Sequence, residues 1–511
     1  MSSPLLGSVI VETLAAVGVR HMVVCPGSRS APIALAAAVS TMTVHTRTDE
    51  RSGGFLGLGL ARAAGIAAIV VTSGTAVANL HPAVLEAAHS GIPLVVLSAD
   101  RPLPLIGTGA NQTTDQTGIF GNCLVDAALL SSADATPAAW SQAIARVVHS
   151  ALGTLTRDPG PVQINAMFGL PLVGTAHHRA VAPRIVPGPP APPTMLESVD
   201  ETVVLVGDAS ATAGAAAGQL AKRARLPLLA EPSSNARVGD NAISTYRELL
   251  DTDLGHAIRR VLVYGHPTLS RPVNRMLCRD DVEIIAVTDR ARWVDPGHRV
   301  SLVTHAVQIP EGDTAWLAAW QEADRRTEQE LATRTGIAER LRNLMSAVVA
   351  AEPAHLVWGA SNTIRHADLA RIPVQSTTRC WANRGLAGID GTIATAMGIA
   401  LATGQPVTAV MGDLTFLHDI GSLHIPSGQP LPPVRLIVID DDGGAIFSDL
   451  EVAETDSFET MFAMPHRRDL GAIAESFEWP VTRLGLDEAA GAVAAGRLPE
   501  RGVVVVDATG R

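Results

Sequence analysis

The chain has 511 residues, 47% of them hydrophobic and 17% charged, with a formal net charge of −11. The length predicts about three domains, and the acidic balance excludes nonspecific nucleic-acid binding, which needs a basic face. Aromatic residues make up only 3%, so Ala, Val, Leu and Ile must fill the core. Lys222 is the only lysine. Arginine is therefore the default cation, and any single arginine is weaker evidence of function than usual. No apolar run reaches membrane-spanning length, so membrane insertion is not expected. The first twenty residues lack a basic n-region and carry Glu12, and are not expected to be a signal peptide. Cys25, Cys123, Cys278 and Cys380 show no CxxC spacing. Neither a zinc site nor a disulfide framework is expected, and a cytoplasmic location fits.

Strand and helix signals alternate from the start. Residues 21–25, 67–72 and 93–98 read as strands, and 30–38, 51–64 and 76–90 as helices between them. The proline-rich stretch 183–193 then interrupts the pattern. It cannot donate a hydrogen-bond ladder and reads as an extended tether. A second block follows, with strands at 202–206, 260–264 and 283–287, and ends in a charged helix over 316–342. A third block begins near 347, carries apolar runs at 407–411 and 434–439, and closes with a strand at 502–507. The expected fold class is α/β, with three α/β domains built on parallel sheets. The expected boundaries are 1–182, a linker over 183–196, then 197–345 and 346–511. Residues 206–218, VGDASATAGAAAG, follow a strand but lack GxGxxG spacing. A helix packing on small residues is expected there rather than a nucleotide site.

Polar groups gather on loops that follow strands. Pro26-Gly27-Ser28-Arg29-Ser30 follows the first strand, Asp100-Arg101-Pro102 follows the strand at 93–98, and Gly109-Ala110-Asn111-Gln112 comes soon after. Arg365 and Asn383-Arg384-Gly385 occupy similar positions in the third block. Arginines at strand ends clamp carboxylates, and several together suggest a substrate with more than one carboxylate; each alone also reads as a solvated surface residue. Asp49-Glu50-Arg51 opens a helix containing Gly53, Gly54, Gly57 and Gly59. Each interior glycine costs about 0.5–1 kcal/mol relative to alanine, so another helix or another subunit must pack closely there. Glu50 is then either a buried acid beside that face or a helix-start acid favoured by the dipole. Thr72-Ser73-Gly74-Thr75 makes a strand-to-helix turn whose amides suit an anion, with capping by Ser73 or Thr75 as the alternative.

The two apolar runs of the third block end in Gly412-Asp413 and in Asp440-Asp441-Asp442-Gly443-Gly444. Carboxylates and glycine-freed backbone at the carboxyl ends of parallel strands suit a hard cation bridging a diphosphate. The same residues also make ordinary turns.

Taken together, VVCPGSRSAP, TRTDERSGGFLGLGLA, VVTSGTAVANLHPAVLEA, LSADRP, TGANQT, ANRGLAGIDG, MGDLTFLHD and VIDDDGGAIF resemble the 2-succinyl-5-enolpyruvyl-6-hydroxy-3-cyclohexene-1-carboxylate synthase family of menaquinone biosynthesis. The motifs span residues 23–447 in the family's order. The resemblance implies a transferase with the thiamine-diphosphate-binding fold, in which a pyrimidine-binding domain, a central domain without cofactor and a diphosphate-binding domain follow one another. It implies a homodimer with active sites shared between subunits, or such dimers paired into tetramers. The implied substrates are 2-oxoglutarate, which is decarboxylated, and isochorismate, which receives the resulting succinyl carbanion by conjugate addition. The implied cofactors are thiamine diphosphate and Mg²⁺, with Mn²⁺ the alternative cation.

Residue by residue, the resemblance makes Glu50 the carboxylate that activates the aminopyrimidine. Ser73, Gly74, Thr75, Ile389, Gly412, Leu414, Thr415, Ile446 and Phe447 become cofactor contacts, with Ile389 as the wedge that bends the cofactor. Asp413, Asp441 and the Gly443 carbonyl become the metal ligands. Ser28, Arg29, Arg101, Asn111, Gln112, Arg271, Ser361, Arg365 and Arg384 become substrate contacts. The chain departs from the common thiamine-diphosphate pattern at Asp441, where an asparagine is usual, and at Leu414, where a glycine is. An acetolactate-synthase-like carboligase would share Glu50 and Asp413 but not the arginine set, and a catalytically inactive binding paralogue would not turn substrate over.

Overall fold

The computed structural model describes residues 2–133, 135–180, 182–448 and 450–509. The chain forms two compact units. The first comprises Met1–Pro189, Asp390–Gln405 and His418–Pro433; the second comprises Pro190–Ile389, Pro406–Leu417 and Val434–Arg511.

The first unit is built on a six-stranded parallel sheet. Its strands lie side by side in the order Thr43–Thr46, His21–Val24, Ala67–Val71, Leu94–Asp100, Val162–Met167 and Asp126–Ser131. Ala67–Val71 and Leu94–Asp100 are buried along their whole length, as expected of strands covered on both faces. The core on one face joins Leu6, Ile10, Val70, Leu97, Ile144 and Ile164. The second unit holds three further parallel sheets, the smallest pairing Thr194–Met195, within the stretch expected as linker, with Val307–Gln308. The five-stranded sheet runs Val300–Thr304, Glu283–Val287, Arg260–Tyr264, Thr202–Val206, Leu228–Ala230. The six-stranded one runs Arg379–Ala382, His355–Trp358, Val407–Gly412, Val434–Asp440, Gly502–Asp507, Val481–Gly485.

Numbered by chain order within each sheet, the two six-stranded sheets share the order 2-1-3-4-6-5. Each therefore reverses direction between its first and third strands, and ligands gather outside the carboxyl ends of strands at such a switch point. Pro26–Ser30 and Thr72–Thr75 lie at that point in one sheet, and Ser361 and Gly412-Asp413 in the other.

The glycine-rich helix Glu50–Ala64 packs within the first unit against helix Thr392–Thr403. A Cβ on Gly59 would stand 2.2 Å from the Thr395 carbonyl oxygen, and one on Gly398 would stand 2.3 Å from the Leu56 carbonyl oxygen. The partner of the glycine face is thus a helix of the same chain, and the face does not of itself call for a second subunit.

Two expected helices are divided. The 76–90 segment forms Thr75–Ala78 and His81–Ser90, with Pro82, which has no N–H to continue the first helix, in the opening turn of the second. The 316–342 segment forms parts of Thr314–Thr333 and Ile337–Ala350, separated by Gly336 at φ +124°. Helix Ala211–Ala224, capped by Ser210, carries the small residues of the 206–218 segment. Residues 182–193 carry no helix or strand. Among the described residues no helix is long and apolar enough to cross a membrane.

Candidate active site

In the first unit, three of the loops singled out by sequence converge. Ser73 is fully buried; its hydroxyl donates to the Gln112 carbonyl at 2.8 Å and accepts from the Arg101 guanidinium. The Gln112 amide returns a bond to the Ser73 carbonyl at 2.9 Å. Gly74, at φ +80°, is the N-cap of Thr75–Ala78 without a side-chain cap, so neither Ser73 nor Thr75 acts as the cap. The Gly74 N–H donates to Gln116 Oε1 at 2.9 Å. Arg29 is half-buried and donates to the Phe168 carbonyl at 2.7 Å. Burial, and then the neighbouring Arg101, lowers its pKa. Ser28, Thr75 and Asn111 are exposed on the same loops.

Beneath this surface lies a polar layer that sequence reasoning did not assign. The buried Asp100 accepts from Asn165 Nδ2 at 2.9 Å and from the Arg101 N–H at 2.7 Å. Asn165 Oδ1 accepts in turn from Gln116 and Ser98. Burial raises the Asp100 pKa. The layer ties the Arg101 loop to Gly74 through Gln116. Asp100 was visible in its loop motif, but Asn165 sits in the buried strand Val162–Met167 (VQINAM), whose mixed polar and apolar residues carried no separate signal.

Glu50 opens its helix directly after the N-cap Asp49, whose carboxylate accepts from Arg51 N and Ser52 N. The cap relieves Glu50 of that duty. Glu50 is half-buried, and its Oε2 accepts a long bond, 3.5 Å, from Asn79 Nδ2. Asn79 occupies the break between Thr75–Ala78 and His81–Ser90, a position the single-helix expectation concealed.

In the second unit the two acidic loops meet. Asp413 is buried at the start of helix Asp413–His418, and a Cβ added to the preceding Gly412 would stand 3.5 Å from the Ser361 side chain. Asp413 accepts from Leu414 N through Oδ1 at 2.5 Å and from Gly443 N through Oδ2 at 2.8 Å. His466 Nε2 lies 3.1 Å from Asp413 Oδ2 and 3.4 Å from Asp440 Oδ1. One ligand atom from each of Asp413, Asp440 and His466 falls within 4.8 Å of the others. Asp441 Oδ1 is buried with no hydrogen-bond partner among the described residues. Burial, then Asp413 and Asp440, pushes the Asp441 carboxyl up to about 7. An unsatisfied buried carboxylate oxygen beside two more acids and an imidazole is a donor set that suits a divalent cation. His466 was not singled out by sequence: it stands far along the chain from both acids with no motif spacing.

Gly443, at φ +137°, carries the chain under the segment that follows; a Cβ there would lie 2.2 Å from the Ala463 carbonyl. Ile446 and Phe447 are half-buried in the next turn, Ala445–Phe447. The Phe447 ring meets Phe462 edge-on at 5.8 Å. Leu414 is half-buried, Thr415 is buried, and Ile389 is half-buried just before Asp390.

The arginines of the second unit divide. Arg384 is 3% exposed and donates to Thr268 Oγ1 at 2.8 Å. Arg365 donates to the Ser361 carbonyl at 3.2 Å. Burial, then Arg384 and Arg247, lowers the Arg365 pKa, so the two guanidiniums share one electrostatic neighbourhood. Ser361 caps helix Asn362–Ala367 through the Thr363 N–H. Arg271 differs: it is exposed and paired with Glu451 at 3.2 Å.

Comparison with known proteins bears on this arrangement. The family "Thiamine pyrophosphate enzyme, N-terminal TPP binding domain" matches residues 5–119, and "Thiamine pyrophosphate enzyme, C-terminal TPP binding domain" matches residues 364–508. A protein of Kineococcus radiotolerans, named 2-succinyl-5-enolpyruvyl-6-hydroxy-3-cyclohexene-1-carboxylate synthase, is 45% identical over 99% of this chain and 95% of its own length. A protein of the same name from a Nocardioides species is 45% identical over 98% of this chain and 94% of its own length. A third, from Renibacterium salmoninarum, is 42% identical over 92% and 87%.

Proposed function

This chain belongs to the 2-succinyl-5-enolpyruvyl-6-hydroxy-3-cyclohexene-1-carboxylate synthase family, and we propose that it decarboxylates 2-oxoglutarate and adds the resulting succinyl unit to isochorismate. It is a thiamine-diphosphate enzyme and a transferase. Residues 1–182 act as the pyrimidine-binding domain, 197–345 as a central domain without cofactor, and 346–511 as the diphosphate-binding domain, with 183–196 as linker.

Bound thiamine diphosphate supplies an ylid and an electron sink, the chemistry a 2-oxo acid needs in order to lose CO₂. The protein's share is to bind, orient and hold protons. Glu50 holds a proton at the ring nitrogen of the aminopyrimidine. Ser73, Gly74 and Thr75 line the same region, and Ile389, Ile446 and Phe447 supply apolar surface that keeps water out. Asp413, Asp441 and the Gly443 carbonyl hold Mg²⁺ or Mn²⁺, with Gly412, Leu414 and Thr415 around the diphosphate. The observation that carries the metal reading is the buried Asp441 oxygen without a partner among the described residues.

Both substrates are dicarboxylates, so the site needs several fixed cations. Arg29, Arg101, Arg365 and Arg384 supply them, assisted by Ser28, Asn111, Gln112 and Ser361. Arg271 has the weakest claim, because Glu451 already occupies it. The active protein is a homodimer whose sites draw residues from both subunits, or a tetramer of such dimers, and it works in the cytoplasm.

The test is turnover with 2-oxoglutarate and isochorismate, followed by the mass of the product. Formation of the succinylated adduct with loss of CO₂ supports the reading. Preference for pyruvate with no isochorismate adduct overturns it in favour of another carboligase.

A further inference from the structure

Glu231 has no part in the mechanism above, yet it is among the most buried acids of the molecule, 1% exposed. It follows strand Leu228–Ala230 directly, so it sits at the carboxyl end of a parallel sheet, where ligands gather. One of its oxygens, Oε1, accepts from two successive backbone amides, Thr268 N at 3.0 Å and Leu269 N at 2.9 Å. Those amides belong to the turn whose Thr268 hydroxyl accepts from Arg384. Arg384 is itself 3% exposed, and its Nε is buried without a partner among the described residues. The side chain at the end of this chain of bonds is therefore a largely desolvated cation held at one nitrogen by a hydroxyl.

We propose that Glu231 is a positioning and specificity-determining residue for the reaction: by fixing the Thr268–Leu269 turn it aims Arg384 at a substrate carboxylate. The inference rests on the reading of Arg384 as a substrate contact.

Electrostatics give the arrangement a direction. The charged and titratable groups facing Glu231 are Arg384, Asp368, Asp208 and Tyr246. Burial first, against the pull of Arg384 and the Leu269 amide, pushes the Glu231 carboxyl up to about 8, and Asp368 and Asp208 add to the rise. Near neutral pH the carboxyl is therefore mostly protonated. It still accepts both backbone amides, but does not neutralise Arg384. The guanidinium keeps its full charge for an incoming carboxylate. Once Glu231 ionises, it competes with that carboxylate for the same cation.

The experiment measures KM and kcat for each dicarboxylate, from about pH 6.5 to about pH 9.5, in the full-length holoenzyme and four variants. In the natural protein, KM for the substrate held by Arg384 should rise by about tenfold across the Glu231 titration and then level off, with kcat little changed. Glu231→Gln, which keeps the acceptor oxygen but cannot ionise, should hold KM flat over that range. Thr268→Val should raise KM by about tenfold at all pH values, while Thr268→Ser restores it. Melting curves confirm that each variant is folded. If Glu231→Gln is unfolded, the Thr268 pair decides: loss in Val without rescue in Ser overturns the proposal. A natural-type pH profile in a folded Glu231→Gln also overturns it. Arg384→Met separates the two readings. Unchanged KM in that variant removes Arg384 from the substrate site, and the proposal with it. Raised KM alongside an unaltered Glu231→Gln profile overturns only the role of Glu231.

Discussion

The imidazole Nε2 of His466 lies 3.1 Å from Asp413 Oδ2, the oxygen that also accepts the Gly443 N–H at 2.8 Å. The same nitrogen lies 3.4 Å from Asp440, and Nδ1 lies 3.9 Å from Asp442. One side chain thus bridges the carboxylates of both acidic loops, which would otherwise repel one another in a buried setting. A divalent cation that takes Asp413 must either displace this imidazole or share the carboxylate with it.

Asp413 is therefore the residue on which metal and diphosphate binding should depend most. Replacing Asp413 with asparagine removes a charged ligand but keeps size and one acceptor. Calorimetric titration with Mg²⁺ and thiamine diphosphate should show weakening by more than the ~10–100-fold that losing an outer-sphere partner costs. Retained affinity would assign the cation to other residues.

Glu50 makes no cap bond, because Asp49 does so, so its replacement should cost little stability. Glu50→Gln should bind cofactor within a few-fold of the natural protein and melt at nearly the same temperature. Its turnover of 2-oxoglutarate should fall by at least ~100-fold, as expected for loss of a positioned proton-holding group. Full activity in that variant would remove Glu50 from the chemistry.

The third expectation concerns pH. The Asp441 carboxyl is pushed up from 3.8 to about 7, by burial first and then by Asp413 and Asp440. Between those values the folded state binds more protons than the unfolded chain, so stability is greatest below the lower value and declines as pH rises towards the upper one. Asp441→Asn cannot ionise. Without metal, its melting temperature at pH ~8 should exceed the natural protein's by on the order of 1–2 °C, with the difference vanishing at acid pH. Saturating Mg²⁺ should reverse the order, since the carboxylate then has a ligand to stabilise. Parallel melting curves at every pH would show that Asp441 carries no such burden.

Packing gives the fourth. A Cβ on Gly59 would stand 2.2 Å from the Thr395 carbonyl oxygen, whereas one on Gly218, within helix Ala211–Ala224, would have nothing within 4 Å. Gly59→Ala should destabilise by about 1–3 kcal/mol through overpacking. Gly218→Ala should stabilise by up to ~1 kcal/mol through helix propensity. Denaturant unfolding of the two variants reads both signs, and equal effects would contradict the close crossing of the two helices.

Much of the framework was legible because buried parallel strands are short continuous apolar runs. The strands at 202–206, 260–264, 283–287 and 502–507 occur over those residues. The loop motifs were legible because glycine, serine and arginine at strand ends are locally coded. What escaped was coded by distance. His466 meets Asp413 from 53 residues away, and Glu231 meets Thr268 from 37; neither has a neighbour in sequence that announces its role. The continuous helix expected over 316–342 followed charge and periodicity across a break in which Arg334 turns extended after the first helix and Gly336, at positive φ, opens the second. The glycine face of Glu50–Ala64 called for a close partner without naming it; helix Thr392–Thr403 fills it from more than three hundred residues away in sequence.

The distribution of the chain between the two units has a practical reading for protein engineering. The backbone passes from one unit to the other five times, after Pro189, Ile389, Gln405, Leu417 and Pro433. Cutting the gene at the proline-rich stretch would therefore not yield two independent pieces. The N-terminal fragment would leave the glycine seam of Glu50–Ala64 bare to solvent, with sticky backbone where Thr395 belongs. A split version of the protein should recover solubility only when the missing helix is supplied alongside it or grafted onto the fragment.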